Sequence, residues 1–377
     1  MATTTVVLIA LALGVGACTA EAAPTPTSSP TPTPIARAVG IPDPLQRYTL
    51  AQKVGQLLMV GTPAIGPDPR TVAAVQNDLV GGIFLSGRSH LGVDATAGVV
   101  AAFTALLPAG SPPLLVATDQ EGGYVQVLSG PGFSEIPSAL DQGGMSPTAL
   151  RDAAVTWGAE LAAAGVTINL APVADLLDPS VFNPPIADLD RAYASDPGSA
   201  ARHAAAFAIG MRVAGVTPVL KHFPGLGSVT DNTDDTVGVV DVRTAPDGPQ
   251  VAAFAGALGR GDAAVMMSLA VYAAIDPSAP AAFSPAVTTD LLRGTLGFDG
   301  VVITDDLSAT DQVAAWSPGD RAILAVSAGC DLVLASADPG VAAEMAAALR
   351  ARAEADPAFA ARVDESARRV LHLKGVL

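Results

Sequence analysis

The chain has 377 residues, 50% hydrophobic and 15% charged, which is enough apolar material for a sizeable core and excludes a disordered polymer. A formal net charge of −16 leaves no basic stripe to neutralise phosphates, and so excludes a nucleic-acid partner. Aromatic residues are only 4%, so the core must be built from Ala, Val, Leu and Ile, a composition suited to buried parallel strands and Ala-rich helices.

The first element is an apolar run over 6–15, too short to span a bilayer and closed by small residues, which reads as an export signal over 1–17. It ends in Val15-Gly16-Ala17-Cys18, which resembles a bacterial lipobox and makes Cys18 the candidate lipidation site. No positive charge precedes the run. Residues 18–40, dense in Thr, Pro and Ser, read as a tether between Cys18 and a folded domain over 41–377. The expected location is therefore outside the cell, lipid-anchored at the outer face of a bacterial membrane. The only other cysteine, Cys330, lies in an apolar stretch with no neighbouring histidine and reads as a small core residue.

Beyond residue 40 one unit recurs: a short apolar run, a polar loop, then an Ala-rich helical stretch. The apolar runs fall at 56–60, 82–86, 114–118, 167–173, 218–222, 263–268, 300–304 and 331–336. Helical patterns separate them at 71–78, 99–107, 147–164, 200–214, 249–258, 285–296, 319–328 and 340–353, with a last one over 357–373. Ser146-Pro147 and Ser284-Pro285 are helix-start signals. Eight strands alternating with helices predict a single-domain (β/α)8 TIM-type barrel. The alternative, a doubly wound dinucleotide-binding sheet, needs a glycine-rich phosphate loop after its first strand, and Gly61-Thr62-Pro63-Ala64 does not match one.

Barrel chemistry sits at the C-terminal ends of the strands. The third run ends in Asp119-Gln120-Glu121-Gly122-Gly123, the fourth near Asp175, the fifth in Lys221-His222, and the seventh in Asp305-Asp306-Leu307. The fourth loop presents Asp190-Arg191. Taken singly, each of these carboxylates reads equally well as a helix cap or turn former. Lys221-His222 is harder to dismiss, because Lys53, Lys221 and Lys374 are the only lysines and a buried strand end seldom carries one without a partner. Carboxylates with one ammonium and one guanidinium at a barrel mouth match a hydroxyl-rich, carbohydrate substrate. The four histidines are scattered without ligand spacing, so neither a metal nor a cofactor is expected.

Together these motifs resemble glycoside hydrolase family 3. The likeness is carried by Lys221-His222-Phe223-Pro224-Gly225-Leu226-Gly227, by Asp119-Gln120-Glu121-Gly122-Gly123, and by the segment from Gly297 to Leu307 ending in Thr304-Asp305-Asp306-Leu307. Asn183-Pro184, Arg191 and Ser195-Asp196-Pro197 add to it, and within the family the chain is most similar to single-domain bacterial β-N-acetylglucosaminidases of cell-wall turnover. The resemblance implies a retaining glycosidase with Asp305 as nucleophile, Asp306 as a structural acid, and Asp119, Arg191, Lys221 and His222 holding sugar hydroxyls.

Two departures from that pattern bear on the chemistry. The loop after the fifth strand supplies an Asp-Ser-His acid/base in the resembled subfamily, but here reads Ser228-Val229-Thr230-Asp231-Asn232-Thr233-Asp234-Asp235, with Asp234 at the His position and no histidine. The Arg that follows the Glu-Gly-Gly turn is replaced by Tyr124. In one reading Asp234 or Asp235 is the acid/base, its pKa raised by a neighbouring carboxylate and by burial when the loop closes. In others the chain is a glycan-binding protein that has lost efficient hydrolysis, or a β-glucosidase-type hydrolase.

Overall fold

Thr49 opens the first helix of the barrel domain. Its hydroxyl accepts from Gln52 N at 3.2 Å while Gln52 Oε1 accepts from Thr49 N at 2.8 Å, a capping box that starts the helix Leu50–Gln56. A computed structural model describes Met1 and residues 43–260 and 263–377. The signal expected over 1–17, Cys18 and the tether over 18–40 thus lie outside the described residues, apart from Met1. Asp43–Leu377 forms one compact unit.

The predicted (β/α)8 architecture is observed. The barrel strands are β1 (Leu58–Pro63), β2 (Gly82–Ser86), β3 (Leu115–Thr118), β4 (Ile168–Asn169), β5 (Thr217–Phe223), β6 (Ala264–Met267), β7 (Val302–Asp306) and β8 (Leu332–Ala335). All pair in parallel with their neighbours in chain order, and β1 closes on β8 through Leu58↔Val333. Helices follow at Gly92–Thr104, Pro147–Ala163, Pro197–Val213, Pro249–Leu258, Pro318–Ala328, Ala342–Ala355 and Pro357–Leu373. The pattern over 71–78 is an α-helix (Pro69–Ala73) running into a π-turn (Ala74–Asp78), and the pattern over 285–296 is bonded as a π-helix over Ala286–Thr295.

Two strand expectations shift for local reasons. The first helix runs through Gln56 and ends at Leu57, whose N–H bonds back to Val54 O and Gly55 O, so β1 begins at Leu58, not residue 56. The fourth run pairs regularly only over Ile168–Asn169, because Pro172 has no N–H to donate; an isolated bridge, Val173↔Lys221, then resumes contact with β5.

Alternation along the strands divides the core in two. Met59, Leu115, Ala117, Ile168, Val219, Ala264, Met266, Ile303, Leu332 and Leu334 pack in one cluster that fills the barrel interior. Residues between them, such as Leu58, Val60, Val116, Leu220, Val265, Val302 and Val333, belong to the larger cluster shared with the helices. Cys330 is fully buried in that outer cluster, and burial pushes its thiol up to about 12, which makes it inert as a nucleophile.

The same period of two positions the chemistry. Ala117, Val219 and Ile303 face the barrel interior, so Asp119, Lys221 and Asp305, each two residues on, are the next groups on that face at the C-terminal rim.

Candidate active site

Above the apolar layer lies a cavity of about 560 Å³, lined at its floor by Phe84, Leu170, Met266 and Leu334. Asp119, Arg191, Lys221, His222, Asp234, Asp235 and Asp305 all border it. A larger cavity, about 1110 Å³, opens at the opposite end of the barrel beside Thr217, Ala264, Val301 and His372. It includes none of the C-terminal strand ends, so the smaller cavity is the candidate site.

One wall is a largely buried charge network. Glu121 is delivered by a hairpin in which Gln120–Gly122 pairs with Val125–Gln126. This turn needs glycine: Gly122 has φ +110°, and a Cβ there would lie 2.1 Å from Pro137 O. Arg191 grips Glu121 with two bonds, Nε to Oε2 at 2.9 Å and Nη2 to Oε1 at 2.8 Å. Lys221 Nζ lies 2.6 Å from both Glu121 Oε1 and Asp119 Oδ1. Burial alone would raise the Glu121 pKa, but Arg191 and Lys221 outweigh it and hold the carboxyl at about 2. Burial likewise works against the Lys221 charge, and Asp119 and Glu121 override it so that its pKa is raised.

His222 is oriented by a second buried carboxylate. Asp175 Oδ2 lies 2.7 Å from His222 Nδ1, while its Oδ1 accepts from His222 N at 3.0 Å and Leu226 N at 2.8 Å. That arrangement places a proton on Nδ1 and turns Nε2 toward Arg191 Nη2 at 3.4 Å. Gly225 makes the turn between these groups with φ +134°, against Gln250. Asn183 secures the following segment, donating to Leu226 O and Val229 O at 2.9 Å each.

The opposite wall is formed by β7. Asp306 is fully engaged: its carboxylate accepts from Ser308 N and Oγ, from Ala309 N, and from Ser336 N at 2.7 Å. Among the described residues Asp305 accepts only from Asp306 N, at 2.8 Å, and it borders the cavity. The paired aspartates are thus separated by geometry into one structural acid and one available for chemistry.

Asp234 and Asp235 stand on the loop after β5. Asp234 accessibly lines the mouth, yet desolvation in the cleft raises its pKa to about 6, with further upward push from Asp305 and opposition from His222 and Asn232. Asn232 Oδ1 accepts from Asp234 N at 3.2 Å. The exposed Asp235 accepts from its neighbour Thr236 Oγ1 at 3.0 Å.

All the sequence-predicted site residues within the described chain therefore surround one cavity. Glu121 and Asp175 were legible as strand-end carboxylates, but nothing in their surroundings distinguished them from caps. Tyr124, standing at the position of the expected Arg, is exposed, and Arg88 donates to its carbonyl, supporting the hairpin from outside.

Residues 49–373 match the family model described as the glycosyl hydrolase family 3 N terminal domain. The chain is 35% identical over 270 residues to a beta-hexosaminidase of Stenotrophomonas maltophilia (strain R551-3), covering 69% of this chain and 77% of that protein. It is likewise 35% identical over 287 residues to a beta-hexosaminidase of Xylella fastidiosa (strain M23), covering 74% and 82%. The crystal structure of a beta-N-acetylhexosaminidase from Beutenbergia cavernae superposes with a TM-score of 0.86 at 58% identity, covering 87% of this chain and 99% of that one. The chain belongs to glycosyl hydrolase family 3.

Proposed function

We propose that this chain is a retaining glycoside hydrolase that removes terminal β-linked N-acetylglucosamine, with Asp305 as nucleophile and Asp234 as acid/base. The observation that carries the reading is the pairing at the cavity mouth: a carboxylate left free by β7 beside a second whose pKa of about 6 keeps a proton available near neutral pH. In the first step Asp305 attacks the anomeric carbon while the Asp234 carboxyl gives its proton to the departing oxygen. In the second, the Asp234 carboxylate takes a proton from water, which displaces Asp305 and restores the original anomeric configuration. Asp119, Arg191, Lys221 and His222 hold and orient sugar hydroxyls. Asp235 is the weaker acid/base candidate, since its carboxylate is engaged by its own neighbour. The sugar class is supported by the names of the relatives, beta-hexosaminidase and beta-N-acetylhexosaminidase.

The test is turnover of an aryl β-N-acetylglucosaminide beside the matching β-glucoside, with the first-formed anomer followed by NMR. Turnover of the acetamido sugar alone, with β-anomer appearing first, is expected. Preference for the glucoside would make the chain a β-glucosidase, and binding of wall fragments without turnover of either would make it a glycan-binding protein. The location we propose, outside the cell with a lipid on Cys18 as membrane partner, is supported by the Val15-Gly16-Ala17-Cys18 tetrapeptide after an apolar run. Metabolic labelling with a fatty-acid analogue, lost in Cys18→Ser, tests it.

A further inference from the structure

The loop that carries Asp234 is docked onto the loop that follows Asp305. The short turn Asp311–Val313 sits directly after the nucleophile strand, and its backbone reaches across: Asp311 N donates to Asp234 O at 3.1 Å and Gln312 N to Thr233 O at 3.2 Å. The Gln312 side chain is buried at 5% exposure and uses both ends of its amide. Its Oε1 accepts from Gly238 N at 2.7 Å and Val239 N at 2.9 Å, and its Nε2 donates to Val239 O at 3.1 Å. The turn itself is braced from below, since Thr310 Oγ1 donates to Asp306 O at 2.7 Å, and the buried Arg321 donates to Leu307 O and Ser308 O at 2.8 and 3.0 Å. Thr233 and Val239, flanking Asp234, are buried. These bonds tie the loop to the segment that follows Asp305.

We propose that Gln312 is a positioning residue for the reaction: by clamping 238–239 to the nucleophile loop it sets where Asp234 stands relative to Asp305. The inference rests on the acid/base reading of Asp234 above. An amide suits the task because it satisfies two N–H groups and one carbonyl at once, which neither a carboxylate nor an ammonium does. Misplacing a proton donor slows the step that needs the proton and spares the rest. Gln312 would therefore be invisible to substrates whose leaving group departs unaided.

The test uses Gln312→Met, which keeps the volume and removes the bonds, and Gln312→Glu, which keeps the acceptor for Gly238 N and Val239 N. Both are assayed on phenyl and 2,4-dinitrophenyl β-N-acetylglucosaminides beside Asp234→Ala. For Gln312→Met, kcat/KM is expected to fall about 10- to 100-fold on the phenyl substrate and less than about threefold on the dinitrophenyl one. Gln312→Glu should fall between wild type and Gln312→Met, and carries the test alone if the Met variant does not fold. In an Asp234→Ala background the Met substitution should add almost nothing. Equal losses on both substrates, or losses that multiply in the double variant, would overturn the positioning role while leaving Asp234 as the acid. If Asp234→Ala itself shows no dependence on leaving group, the acid assignment falls and this inference falls with it.

Discussion

The two walls of the site are built on opposite plans. On the sugar-holding side Glu121, Arg191, Lys221, Asp175 and His222 pair with one another in a buried network, so each charge is held by a partner from a different strand end or loop. On the proton-transfer side, among the described residues, the Asp305 carboxylate accepts from Asp306 N and Asp234 N donates to Asn232 Oδ1, while both aspartates border the cavity outside the buried ion-pair network. The contrast teaches where function and stability are separable. Removing a network residue leaves a buried charge without its counterpart, whereas removing a cavity carboxylate deletes chemistry from an intact scaffold.

That contrast can be broken most decisively at Asp305. Asp305→Ala should lower kcat by about 10⁴-fold or more on every aryl substrate while the thermal midpoint stays near wild type, as steady-state kinetics and calorimetry would show. A variant with normal activity would remove the nucleophile from the proposal. Next comes Glu121→Ala, which strands Arg191 and Lys221: denaturant unfolding should show a loss of about 3–5 kcal/mol. Because the Glu121 pKa is held at about 2 in the folded protein, its contribution is present above the ordinary value of 4.5. It is lost as pH falls from there through about 2, so wild type should weaken more steeply across that interval than the variant, which keeps the other lowered carboxylates such as Asp43.

Asp234→Ala should cost about 100- to 1000-fold in kcat/KM on a phenyl leaving group and under about tenfold on dinitrophenyl, with stability unchanged. The sign of the pH dependence follows from the same residue. The acid form is the competent one in the first step, so kcat/KM on the phenyl substrate should fall about tenfold per unit as pH rises beyond the Asp234 value of about 6, a limb absent from the Ala variant. The smallest effect is expected for Asp235→Asn, less than about threefold on either substrate. A large, leaving-group-dependent loss there would move the proton transfer to Asp235.

The architecture was legible because barrel strands write themselves into sequence as short apolar runs at regular spacing, and the ends of those runs marked Asp119, Lys221 and Asp305 as rim residues. That these three face inward emerged only from the packing of Ala117, Val219 and Ile303 in the barrel interior. Where the reading slipped, the cause was local: the helix begun at Leu50 runs through Gln56 and delays β1 to Leu58, and Pro172 cut β4 short. The contacts that dock the acid/base loop on the loop after Asp305 had no signal in the sequence.

Strand count, the rim carboxylates, the missing loop histidine and family membership were therefore matters of local pattern, written in consecutive residues. Which carboxylate is structural and which is free, and what holds the acid in place, depended on contacts that no window of sequence contains. Arg191 meets Glu121 across 70 positions and Gln312 meets Val239 across 73. Such bonds need only an amide, a guanidinium or a carboxylate at the right point in space, and those residue types are common enough in loops that their partners emerge only when the barrel closes and brings the strand ends together.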